Sequence, residues 1–205
     1  MWYKVKRIYQ WTNLVRPVWK YSYDFRNKST TNLTNDWWTL PTWAGCDSNG
    51  YYTPAADRIA KLTLPASAQT RLANASKVSL TSQVKTTNDF LHSVYIWKEN
   101  FNHWFGNYME YSTVSSSSLF TQQTGVINAS NLIVWTWSPS GVITATLTID
   151  FDNLTWNWNC AWNTNNGTIT QAIADYSRQN TTIWTKLFDS WSLWARLQKI
   201  DLTIV

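Results

Sequence analysis

Between Leu132 and Phe151 the chain reads LIVWTWSPSGVITATLTIDF, two runs of β-branched and aromatic residues around Pro139-Ser140-Gly141. Alternation of this kind buries one side of an extended strand, because successive side chains point to opposite faces. Pro presets the first turn angle and Gly accepts left-handed backbone, so the triplet predicts a three-residue hairpin loop with Ser138 opposite Val142. In that register Ile133, Trp135 and Trp137 share a face with Ile143, Ala145, Leu147, Ile149 and Phe151. Thr136, Ser138, Thr144, Thr146, Thr148, Asp150 and Asp152 line the other. A slip of one residue would set both tryptophans among the threonines. Burying each indole contributes roughly 2–3 kcal/mol, so both are assigned to the core and not to a surface platform.

The rest of the chain agrees with an all-β reading. Asn, Ser and Thr make up 65 of 205 residues and Glu occurs twice, at Glu99 and Glu110, a composition of exposed sheets and turns poor in helix formers. An apolar content of 44% is enough for a core of one large domain. Tyr21 to Phe25, Arg58 to Leu64, Lys77 to Lys85 and Leu197 to Val205 read as strands, and Thr39 to Tyr52 as a loop. In Lys77 to Lys85, Val78, Leu80 and Val84 point inward. One helix is expected, over Thr170 to Arg178, where Ile169, Ala172, Ile173 and Tyr176 fall on one face; Thr53-Pro54 offers a second, short start.

Charge divides the chain. Residues 1 to 28 carry seven cations against Asp24, a net of +6, and the remainder carries ten cations and eleven acids, a net of −1. The change predicts a boundary near Tyr21, with residues 1–20 a basic β arm and residues 21–205 the body. The arm contains no Lys/Arg run of the kind that tracks phosphates, so nucleic acid is disfavoured as a partner. The segment MWYKVKRIYQ lacks the apolar core of a secretory signal, and no run approaches the length of a membrane span. Cys46 and Cys160 are the only cysteines. They are expected either as one disulfide or as two buried thiols, without the clustered partners of a zinc site.

Sixteen tryptophans stand against six glycines, an inverted ratio. Several occupy places where turn chemistry asks for Gly: Trp37 and Trp38 after Asn35-Asp36, Trp156 after Asn153-Leu154-Thr155, and Trp191 and Trp194 after Asp189-Ser190. Two accounts are open. Either the protein is rich in tryptophan, or some of these positions are UGA codons that certain bacteria and their phages read as Gly.

The order of elements from Tyr21 to Val205 resembles a concanavalin-A-like or laminin-G-like jelly roll. The likeness is carried by the Tyr-Asp-Phe opening strand, the Gly-Tyr-Tyr loop, Lys77 to Lys85 leading into His92 to Glu99 and Asn107 to Ser112, the Pro-Ser-Gly hairpin and the closing strand. The resemblance implies a two-sheet antiparallel β-sandwich with sugar ligands on a concave face or in rim loops. The N-terminal segment, with Lys6-Arg7-Ile8-Tyr9 and Val15-Arg16-Pro17, resembles the start of phage-type surface and virion proteins. That likeness implies a tag docking the sandwich to other subunits.

The candidate site lies in a second hairpin, His92 to Ser112. With His103 at its centre, Glu99 would face Tyr108, Trp97 would face Glu110 and Tyr95 would face Ser112, with Val94, Ile96, Met109 and Tyr111 behind. Tyr95, Trp97, Glu99, Tyr108 and Glu110 are therefore the expected ligand-binding residues: ring faces for C–H stacking and carboxylates that accept hydroxyl hydrogen bonds. The same pattern also fits ordinary cross-strand pairing on a solvated face. Glycoside hydrolysis needs two carboxyl groups at a set spacing, and Glu99 and Glu110 as diagonal neighbours would stand roughly 7–8 Å apart. The Glu-x-Asp-x-Glu run of the related glucanases is absent, so no catalytic residue is assigned. His92 and His103 lack a partner at a catalytic spacing. No cofactor is assigned, and the one candidate loop for Ca2+ is Asp47-Ser48-Asn49-Gly50. The expected function is a non-catalytic carbohydrate-binding or adhesin module of a phage tail or surface appendage, at a virion or extracellular surface. Its partners would be a cell-surface glycan, further copies of itself in a homo-oligomer, and other subunits through the arm. The alternatives are a structural virion protein whose sheets meet neighbouring subunits, and a glycoside hydrolase.

Overall fold

In the computed structural model, residues 18–53, 58–86, 90–98, 104–111, 116–119, 132–133, 141–160, 163–187 and 196–205 are described. They form two antiparallel sheets. The first runs β12 (Asn163–Thr168), β11 (Thr155–Cys160), β10 (Gly141–Asp150), β5 (Lys77–Thr86), β14 (Arg196–Ile204), β3 (Gly50–Tyr52) and β2 (Gly45–Asp47), with β1 (Trp19–Asp24) also paired to β14. The second runs β4 (Arg58–Thr63), β13 (Thr182–Leu187), β6 (Phe90–Trp97), β7 (Trp104–Tyr111), β8 (Ser116–Leu119) and β9 (Leu132–Ile133).

The core lies between the sheets, and alternation decides which residues enter it. Leu80, Val84, Ala145, Leu147, Ile149, Trp158, Ile200 and Leu202 come from the first sheet. Ala60, Leu62, Val94, Ile96, Phe105 and Ile183 come from the second. The facing of β10 is therefore as expected, with Ala145, Leu147 and Ile149 inward. Outward, Thr146 and Thr148 exchange hydroxyl hydrogen bonds with Thr81 and Ser79 at 2.8 and 2.7 Å.

The first strand and the turn of the expected hairpin, residues 134–140, lie outside the described residues. Leu132 and Ile133 pair with Ser117 and Ser116 in the second sheet, whereas β10 pairs with β5 along its whole length. On its other side β10 forms a hairpin with β11, from Asp150 opposite Thr155 to Ala145 opposite Cys160. Leu154, at φ 53°, closes that turn. Trp135 and Trp137 lie outside the described residues.

The region expected as one loop, Thr39 to Tyr52, contains the small hairpin β2–β3. Its Gly50 has φ 128°, and a Cβ there would stand 2.3 Å from the carbonyl oxygen of Leu197, beside the β-bulge in β14. Only glycine fits that approach. The first strand begins at Trp19 and pairs with β14 through all six residues, so the sheet takes in positions 19 and 20 as well.

Among the described residues three helices occur where one was expected. The expected one is α3 (Gln171–Ser177), with Thr170 accepting the Ile173 N–H at its start. The others are α1 (Thr30–Asn35) and α2 (Ala66–Ala73). The Thr/Asn sequence of α1 has poor intrinsic propensity, yet Ser29 and Asn32 make a reciprocal capping box and Leu33 is fully buried. Helix α2 follows Pro65, and its Ala68 and Leu72 pack one turn apart into the core. Among the described residues no helix is long and apolar enough to cross a membrane.

Candidate functional site

The outward face of the second sheet carries Tyr95, Trp97 and Trp184. Because Val94, Ile96, Phe105 and Ile183 point inward, their strand neighbours Tyr95, Trp97 and Trp184 point outward. The register then sets them side by side. One row across the sheet is Lys61, Trp184, Tyr95 and Gly106, and the next is Thr63, Thr182, Trp97 and Trp104. The Lys61 ammonium lies 4.2 Å from the centre of the Trp184 ring. Trp97 and Trp184 meet nearly at right angles, 80° between planes, with ring centres 4.0 Å apart. Beside them, Gly106 has no side chain, and a Cβ there would stand 2.9 Å from the Tyr95 ring; the glycine lets that ring lie across β7. The indole N–H of Trp184 is buried without an acceptor.

This face differs from the expected site in its register. Trp97 is opposite Trp104, not Glu110; Tyr95 is opposite Gly106, not Ser112; Tyr108 is opposite Ser93 and Glu110 opposite Leu91. The pairing of Trp97 with Trp104 centres the register between positions 100 and 101, three residues earlier than the expected pairing of Trp97 with Glu110. Both registers pair odd with even positions, so 95, 97, 108 and 110 still share one side of the sheet. Along β7, however, position 110 lies six residues, roughly 20 Å, from the point opposite Trp97. Glu99 and His103 lie outside the described residues. The diagonal spacing of Glu99 and Glu110 rested on pairing Glu110 with Trp97, and that pairing does not occur. His92 sits opposite Met109. Sequence reading missed Trp184 and Lys61, which reach the face from strands distant in the chain. The signal for Trp184 was present: Ile183 and Thr185 alternate inward around it.

The other polar clusters are internally engaged. In the loop considered for calcium, the Asp47 carboxylate accepts the Arg196 Nε–H at 2.8 Å and the Asn49 N–H at 2.7 Å. The Asn49 side-chain oxygen accepts from Lys85 Nζ at 2.7 Å. Burial opposes ionisation of Asp47, but these hydrogen bonds and the Arg196 charge hold its carboxyl below the usual carboxylate range. Two cations thus occupy the oxygens a divalent ion would need. Among the described residues no three His, Cys, Asp or Glu converge as a metal site. Cys46 and Cys160 are not joined as a disulfide. An open depression of about 350 Å³ lies at the edge of the first sheet, between α2, α3 and the β10–β11 turn. Arg178 closes its floor, donating to the Ala75 carbonyl at 3.0 and 3.1 Å and stacking over Phe151.

No known family model matches the sequence, and no curated protein matches it. Solved structures do match. A winged bean acidic lectin complexed with methyl-α-D-galactose superposes with a TM-score of 0.59 at 9% identity, over 92% of this chain and 98% of that one. Peanut lectin with a nine-residue peptide gives 0.58 at 8%, over 91% and 97%. The CBM2 module of an evolved Dit from Lactobacillus casei BL23 phage J-1 gives 0.51 at 8%, over 81% of each chain. The fold is a lectin-like β-sandwich. The likeness is one of fold, and residue roles rest on this chain's own geometry.

Proposed function

We propose that this protein is a non-catalytic glycan-binding module whose ligand lies on the outward face of the second sheet, with Tyr95 and Trp97 as its stacking residues. The observation that carries the reading is the alignment of Lys61, Trp184, Tyr95 and Trp97 on three adjacent strands, all on the side away from the core. Ring faces of this kind take the C–H side of a sugar, and a nearby ammonium donates to its hydroxyls. The lectin and carbohydrate-binding folds that this chain resembles, one of them bound to a galactoside and another from a phage Dit, support the same substrate class.

Within this proposal Glu99 and, from their register positions further along β7, Tyr108 and Glu110 are further candidate ligand contacts. The module sits at a virion or appendage surface, held by its basic N-terminal residues, in a homo-oligomer. A structural role, with the same face covered by a neighbouring subunit, is the competing reading. A glycan array probed with the whole chain separates them. Retention on one class of polysaccharide, competed by free sugar, supports binding. No retention on any polysaccharide, together with self-association through this face, supports the structural role.

A further inference from the structure

Two tryptophans stand apart from the others. Among the described residues the large apolar side chains that are exposed are Val18, Trp37, Trp43 and Val142, and Trp37 and Trp43 are the most exposed, at 84% and 74%. The described non-glycine residues with positive φ are Asn27, Trp37, Trp43 and Leu154. Exposure and left-handed backbone thus coincide on the same two indoles.

The local geometry at each is one that selects glycine. At the end of α1, the Trp37 N–H donates to the Thr34 carbonyl at 3.1 Å and the Trp38 N–H to the Leu33 carbonyl at 2.9 Å. These are the two bonds of a Schellman motif, and they place Trp37, at φ 70°, at the position just past the helix where glycine predominates. Trp38 and Leu33 supply the accompanying buried contact. At the second site the Ala44 N–H donates to the Pro41 carbonyl at 3.3 Å, closing a four-residue turn whose third residue, Trp43, has φ 68°. Positive φ at that position marks a type II turn, which asks for Gly or Asn. Asn27 tolerates this conformation through its short amide. At Leu154 the strain is offset by packing against the core. No packing offsets it at Trp37 or Trp43. Trp38 and Trp158, by contrast, are almost fully buried and have negative φ.

We infer that residues 37 and 43 are glycine in the protein as its host makes it, each encoded by a UGA codon read by a glycine tRNA, while Trp38 and Trp158 are true tryptophans. The inference moves sixteen Trp beside six Gly to fourteen beside eight without disturbing the core.

The coding DNA and the native protein test it together. UGA is expected at codons 37 and 43 and UGG at 38 and 158. Peptides of protein isolated from its source should be lighter at 37 and 43 by an indolylmethyl group exchanged for hydrogen. UGG at 37 or 43, or an intact indole there in the native peptide, overturns the inference. In recombinant chain carrying Trp at both sites, Trp37→Gly and Trp43→Gly should each raise the melting temperature by about 2–4 °C, and Trp38→Gly should lower it. A fall with Trp37→Gly and Trp43→Gly also overturns it. Codons 97 and 184 bear on the stacking face separately: UGG there leaves that face intact however 37 and 43 are read, and UGA there removes it.

Discussion

Asn107 is the polar tie between the sheets, and its replacement has a calculable cost. It is fully buried on the inward face of β7, and its Nδ2 lies 3.1 Å from the Leu80 carbonyl, 3.1 Å from Ser82 Oγ and 3.0 Å from the Ala145 carbonyl. All three acceptors belong to β5 and β10 of the opposite sheet. Two amide hydrogens serve them, so Asn107→Ala removes the equivalent of two hydrogen bonds at about 1 kcal/mol each, and leaves acceptors buried without a donor at a further 1–3 kcal/mol. Against this, Oδ1 has no partner, and removing it returns about 1 kcal/mol. The net loss is about 2–4 kcal/mol, or roughly 4–16 °C in melting temperature for a chain of this size. Asn107→Asp sets a carboxylate against carbonyl oxygens. Its folded pKa rises, so its extra penalty is absent below the unfolded value of about 3.9 and grows as pH increases through it. Urea melts of wild type, Asn107→Ala and Asn107→Asp at pH 4 and 7 read both effects. A loss under 0.5 kcal/mol for Ala, or equal stability of Asp and Asn at pH 7, refutes the reasoning.

The Asp47 carboxyl, held below its unfolded value, stabilises the fold above the unfolded pKa, and that contribution is lost as pH falls through the folded one. Asp47→Asn should therefore be less stable than wild type at pH 7 and should flatten the fall in stability with acid below about pH 4; an unchanged pH slope contradicts this. Burial, with Asp47 adding to it, pushes the Cys46 thiol up to about 12. Both thiols should react with a thiol reagent at pH 8 only when denaturant is added, and fast reaction of the folded protein would contradict the environment assigned to Cys46. Deleting residues 1–17 leaves β1 and its pairing with β14 intact, so the truncated chain should melt within about 2 °C of the full one. A cooperative loss of structure would mean that the basic segment belongs to the sandwich.

Faces were legible in the sequence and pairings were not. The alternation in β5, β10 and β6 named the inward residues correctly, because period 2 is a local property. Which strand lies beside which is set by the turns and by contacts distant in the chain. The strand after Pro139-Ser140-Gly141 pairs with β5 and β11, and no local signal names β5 as its neighbour. The turn that does close a hairpin uses Leu154 in the left-handed region, which no residue preference announces. The connection from Trp97 to Trp104 is too long to fix a register from its residues alone. Tyr95 and Trp97 could be placed outward from Val94 and Ile96, but joining them to Trp184 and Lys61 required strand order. Helix α1 escaped notice because a capping box and one buried leucine, not propensity, sustain it.

The central claim is tested most directly by measuring polysaccharide retention and thermal stability together on Tyr95→Ala and Trp97→Ala. Both side chains are partly exposed, and Trp97 meets Trp184 edge-on, so each change should cost about 1 kcal/mol of stability, well short of the 3–5 kcal/mol of a core aromatic. Loss of a stacking ring should weaken binding by about 0.5–1.5 kcal/mol, roughly 2- to 10-fold in affinity. The account predicts folded variants with this drop in retention. Wild-type retention by both variants, or a loss of stability large enough to place either ring in the core, contradicts it.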